Sequence, residues 1–207
     1  MKTPFLFAIA LAGLAAAQAP QTESGRFVYS QAGSEVITEK FTRSATAIEA
    51  ELRVPSGQRV TYKARIAGGV VSEITLSSFA PEDTVKPAQS ASFRFRADTM
   101  TLETTRNGAA VTEKRAAPPG TVPYINPSVL WMEEIVRKAK AAGGTRASVS
   151  VAFLNAPQEV LPVTVTFKTP TEASVLLGDT QITFTLDQRG RILSGAVPSQ
   201  NLTIARK

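Results

Sequence analysis

The chain contains neither cysteine nor histidine. Without cysteine there is no disulfide framework, thiolate nucleophile, cysteine-type zinc site or lipobox anchor. Without histidine, the residue that titrates nearest neutral pH and serves most often as metal ligand or general base is missing. A serine hydrolase would have to use a lysine base, and neither S-x-x-K nor G-x-S-x-G occurs. Glycines at Gly68-Gly69, Gly143-Gly144 and Gly190 read as turns, since none opens a helix as a phosphate-binding loop does. No cofactor or metal is implied by any of these patterns.

What is present is ordinary for a globular chain: 43% hydrophobic and 19% charged residues over 207 positions. Lys and Arg number 23 against 17 acids, a net charge of +6. The cations do not cluster along a helix with aromatic platforms, so the excess favours solubility over nucleic-acid binding. Met1-Lys2 and the apolar run FLFAIALAGLAAA have the basic start, apolar centre and small-residue end of a secretory signal peptide. Cleavage after Ala17 makes residues 1–17 the leader and 18–207 one mature domain. The run is too short to span a membrane, and no comparable apolar stretch follows, so the mature chain is expected to be exported, periplasmic or extracellular, without a transmembrane segment.

From about residue 26 to 115 the pattern is a succession of period-two segments separated by turn residues, as in an antiparallel meander. Ile48, Ala50, Leu52 and Val54 share one face of Ala47 to Val54, and Val60, Tyr62, Ala64 and Ile66 share one face of Arg59 to Ala67. Keeping these faces together sets Glu49 and Glu51 opposite or diagonal to Lys63 and Arg65. Further strands are expected over Val70 to Phe79, Ala91 to Ala97, Met100 to Arg106 and, past Asn107-Gly108, Ala109 to Arg115. Residues 80 to 89, with two prolines, read as a loop.

One helix is expected over about 126–142. Asn126 would cap it, Pro127 would occupy its first turn and Gly143-Gly144 would end it. Val129, Met132, Ile135, Val136 and Ala139 form an apolar stripe, and Glu133 with Arg137 and Glu134 with Lys138 are spaced as solvent-side pairs. Period-two segments return over about 146–205. The resulting fold class is mainly β (α+β): a large curved antiparallel sheet or open half-barrel, with one long amphipathic helix on its concave face.

Acids mostly fall on outward positions. Glu39 shares parity with Ile37 and Phe41, and reads as a strand end or bulge more simply than as a catalytic group. Glu82-Asp83 reads as a solvated loop, and Asn201-Leu202-Thr203 as a chance match to a glycosylation pattern. No enzyme is expected. Two constellations stand out as candidate sites. The inward aromatic and apolar residues Tyr62, Phe93, Phe95, Trp131 and Met132 could line a ligand pocket if the helix closes the sheet incompletely. The outward cations Arg59, Lys63, Arg65, Arg94 and Arg96 could meet an anionic amphiphile or headgroup.

Leader, β meander, a helix opening at Asn126-Pro127 and a second meander ending TFTLDQRGRILSGAVPSQNLTIARK together resemble exported bacterial proteins of unknown function. Their plan is similar to the LolA and LolB lipoprotein carriers. The resemblance implies a hydrophobic groove between sheet and helix that receives acyl chains or a hydrophobic peptide. The expected function is non-enzymatic binding of a lipid or acylated molecule between sheet and helix. The alternative is a cell-envelope interaction module with a closed core, docking a protein partner.

Overall fold

The computed structural model describes residues 22–83, 85–106, 108–155 and 158–207, so the predicted leader lies outside the described residues. Strands β1 (Glu23–Gln31), β2 (Ser34–Arg43), β3 (Ala47–Arg53), β4 (Arg59–Ala67), β5 (Val70–Phe79), β6 (Gln89–Arg96), β7 (Thr99–Arg106) and β8 (Ala109–Ala116) form an antiparallel meander. A short β9 (Val122–Tyr124) and helix α1 (Val129–Ala142) follow. A second meander then runs through β10 (Arg146–Phe153), β11 (Glu159–Thr169), β12 (Glu172–Leu177), β13 (Thr180–Leu186), β14 (Ile192–Val197) and β15 (Leu202–Arg206).

All belong to one 15-stranded sheet, joined where β1 pairs antiparallel with β15. Its edges are β8 and β9, yet β8 comes against β11 and β9 against β5, so the sheet curls until its two edges pass its own strands. Register shifts in β1, β4, β11 and β13 supply local bends that such curvature needs. The β3–β4 register sets Glu49 directly opposite Lys63, with their charges 3.4 Å apart. Glu51 faces Thr61 and pairs instead with Arg53 and Arg59.

Strand β9 pairs parallel with β10. Parallel neighbours require a crossover, and α1 is that crossover, which lays it against β9, β10, β11 and β2 on the concave side. Trp131, Tyr62, Phe27 and Phe93 are among the largest fully buried side chains. Burial of this helix goes beyond its apolar stripe: Val129 through Val136 are all buried, Glu133 and Glu134 included.

Two expectations about the helix are corrected. Its N-cap is Ser128, whose side chain accepts from the Trp131 amide, because the chain turns in only after Asn126-Pro127. Asn126 instead joins the preceding loop to the end of β10: its amide donates to Asn155 Oδ1 at 2.6 Å, and the Leu154 amide donates to the Tyr124 carbonyl at 2.9 Å. The expected pairs Glu133–Arg137 and Glu134–Lys138 do not form; Arg137 pairs instead with Glu134, one position closer along the helix. Both acids are drawn inward by arginines from β2 and β15, while Lys138 donates to the Gly120 carbonyl.

Candidate ligand clefts at one mouth of the barrel

Two charged devices hold the helix, and they define the space left over. The first is Glu39, fully buried in the middle of β2 and neither a strand end nor a bulge. Its Oε1 accepts from Tyr62 at 2.6 Å and from Ser128 at 2.5 Å, and its Oε2 accepts from the Val129 and Leu130 amides at 2.8 and 3.0 Å. Those amides are orphan donors of the first helical turn, and α1 carries no acid there of its own. A sheet carboxylate therefore performs the N-terminal role that a helix-borne acid usually fills. Burial nonetheless raises the Glu39 pKa above its ordinary value, outweighing the bonds from Ser128, Tyr62 and the two amides.

The second device lies further along the helix. Arg43 of β2 contacts Glu133 and Glu134 at 2.8 Å each and Glu23 of β1 at 2.5 Å. Arg206 of β15 pairs with Glu133 and reaches Glu23 at 2.7 Å, while its guanidinium lies 4.7 Å from the Phe27 ring centre. Glu133 also accepts from the Ile192 amide at 2.6 Å. Carboxylates and guanidiniums thus pair across the β1–β15 seam, with Glu133 Oε1 held by its ion contact to Arg43 and no hydrogen bond, and such pairing is the condition under which buried charge is tolerated. Burial alone would raise the Glu23 pKa, but the bond to Arg43 and the charges of Arg43, Arg206 and Arg191 hold it below the ordinary value.

Glu23, Arg43 and Arg206 lie at the ends of β1, β2 and β15 that form one mouth of the barrel. At the opposite mouth, where the helix begins, two clefts border the segment that leads into the helix. One, of about 320 Å³, is apolar and lies between α1 and β10–β15, bounded by Tyr29, Tyr124, Met132, Phe153, Ile182 and Leu202. The other, of about 540 Å³, lies over β3–β7. Its floor includes Val60, Leu76, Phe93 and Leu102, and its rim includes Gln58, Ser78, Gln89, Ser90 and Asn155. Asn126 borders both, so the segment from Tyr124 to Pro127 is the partition between them. A third cleft of about 300 Å³ at the helix C-terminal end is bordered by Trp131, Gly120 and Lys138.

The inward set from the sequence is divided among these places. Met132 borders the apolar cleft, Phe93 floors the larger one, and Trp131 borders the third. Tyr62 is buried behind them, its ring 5.7 Å from that of Trp131, and Phe95 packs half-buried against the core. The cations lie on the outer face: Lys63 beside Glu49, Arg65 beside Glu73, Arg94 between Glu73 and Glu103, and Arg59 over the Phe79 ring at 4.1 Å, with Arg96 exposed on the same strand face. Sequence reasoning misses Tyr29, Tyr124 and Phe153, whose shared cleft arises only when β1 and β15 join the two meanders. The inward parity of Ile182 and Phe184 is visible in the second meander, but nothing local marks it as a cleft wall. Among the described residues, no helix is long and apolar enough to cross a membrane, and no group of three or more acidic residues is placed to hold a metal ion.

No family model matches the sequence, and no curated protein matches it. Among solved structures, the chain is similar to a β-barrel-like protein of a domain of unknown function, DUF1849, from Brucella abortus. The likeness has a TM-score of 0.50 at 11% identity and covers 91% of this chain and 94% of the other. At that identity it establishes a shared β-rich, barrel-like fold and nothing about ligand or partner.

Proposed function

We propose that this is an exported, non-enzymatic protein that binds a hydrophobic or amphiphilic molecule, a lipid or acylated compound, between its curved sheet and helix. The observation that carries the reading is the apolar cleft of about 320 Å³ between α1 and β10–β15, bordered by Met132, Phe153 and Ile182. Its volume is at the lower end of small-molecule sites, suited to one chain or a compact apolar body. The curled sheet around a helix also agrees with the LolA/LolB-like plan, and the leader pattern over residues 1–17 supplies the export. Met132 is the helix contact to ligand; Trp131, its neighbour on the helix, borders the third cleft and packs against Tyr62. None of Arg59, Lys63, Arg65, Arg94 and Arg96 borders either cleft, and the first four already share carboxylates, so this reading gives the set no direct ligand contact.

Native mass spectrometry of the freshly purified chain tests the reading. Expected is a co-purified adduct removable by organic extraction, and a Trp131 emission change when fatty acid or phospholipid is added back. A bare chain whose emission is indifferent to both would contradict it.

A second reading rests on β8, which among the described residues is an edge strand paired with β7 alone. Such an edge can add a strand from a protein partner. In that case envelope extract would yield a bound protein, and proline at Ala110 would abolish its capture without affecting lipid response.

A further inference from the structure

Resting on the ligand reading above, we infer that the two clefts at the helix N-terminal mouth form one bipartite site for an amphiphile whose headgroup is an uncharged sugar. Three features point there. The clefts meet at Asn126, so a single molecule can lie across the partition with its chain beside Met132 and its head over β3–β7. The larger cleft pairs an apolar floor, Phe93 with Leu76 and Val60, with a rim of amides and hydroxyls, Gln58, Gln89, Ser78 and Ser90. A sugar ring presents the matching surfaces: C–H faces for the floor, and hydroxyls that both donate and accept for the rim.

Charge argues in the same direction. Among the described residues, Arg106 is the one cation bordering the larger cleft, and Glu113 already holds it at 2.9 Å. Lys63, Arg65 and Arg94 stand on the outer face beside carboxylates, and none of them borders this cleft. An anionic head would therefore give up its hydration without gaining a matched counter-charge. A neutral hydroxylated head exchanges water for amide and hydroxyl partners. The partition itself is held by the Asn126–Asn155 and Tyr124–Leu154 hydrogen bonds, so both halves keep a fixed spacing.

Calorimetric titration of the full mature chain with decyl maltoside, decyl phosphate and decanol, each below its micellisation concentration, tests this. Decyl maltoside should bind about tenfold tighter than decanol, the size of one or two net hydrogen bonds, with decyl phosphate no tighter than decanol. Gln89→Ala, at an exposed rim position, should erase most of that advantage while leaving decanol affinity unchanged. Leu177→Trp, at the border of the apolar cleft, should weaken all three ligands. Equal affinities, tightest binding of the phosphate, or no effect of Gln89→Ala on maltoside would overturn the sugar assignment while leaving the apolar cleft intact. If decanol does not bind at all, the underlying ligand reading fails with it.

Discussion

The two mouths of this barrel use opposite chemistry around the same helix. At one, Glu23, Arg43, Glu133, Glu134 and Arg206 bring charge from three strands and α1 into one ion-paired cluster. At the other, where the helix begins, the walls are apolar or neutral apart from Arg106, and two clefts meet at Asn126. Buried ion pairs impose geometry because a displaced partner leaves an uncompensated charge. Apolar side chains tolerate rearrangement at lower cost. The charged mouth therefore fixes the helix, and its own cleft is bordered by Glu134, Arg137 and Lys138, whereas the two clefts that meet at Asn126 have mainly apolar and neutral borders.

Cutting into the charged mouth should have the largest effect. Arg43→Ala strands Glu133 and Glu134 with one guanidinium fewer, and should cost about 3–5 kcal/mol in a urea melt. A loss no larger than that of a surface variant would mean that the cluster does not anchor the helix. Tyr62→Phe removes one bond to the buried Glu39 carboxylate and should cost about 1.5–3 kcal/mol in the same assay.

Dependence on pH separates the two devices by sign. The Glu39 pKa is raised by burial, so its contribution is fully present below the ordinary value of 4.5 and is lost as pH rises through the folded value. The Glu23 pKa is lowered by its arginines against the effect of burial, so its contribution is present above 4.5 and is lost as pH falls through the folded value. Stability measured against pH should lose its fall above pH 4.5 in Glu39→Gln and part of its acid-side fall in Glu23→Gln. The reverse assignment would contradict the two electrostatic environments. Least affected should be Lys63→Ala on the outer face, where an exposed pair with Glu49 at 3.4 Å contributes less than about 1 kcal/mol, as a thermal melt would check.

Much of the sheet is legible in the sequence because half-buried strands write their geometry as alternation. Arg59–Ala67 and Val70–Phe79 are strands over the residues expected, and Glu49 faces Lys63 as the charges suggest. The three-residue β9 is too short to show a period, and β12 lies in a stretch whose Glu172 and Gly178 look like turn chemistry. The helix is legible by its stripe, but the fate of its acids is not. Glu133 and Glu134 fall off that stripe, and their burial depends on Arg43 and Arg206, which lie far away in sequence. Likewise the parity of Glu39 announces an inward carboxylate, whereas its partners, the Val129 and Leu130 amides, are set only by the crossover that brings α1 back over β2. The clefts depend on closure of the sheet through β1 and β15, a property of the whole chain and not of any segment.

Hydrogen–deuterium exchange of the folded protein with and without decanol tests the division of labour most directly. The account predicts that amides of the helix stay strongly protected in both states, while decanol adds protection around Tyr124 to Ser128, Phe153 to Asn155 and Leu177 to Thr180. Ligand-induced exposure of the helix amides, with no new protection in those three segments, would contradict it.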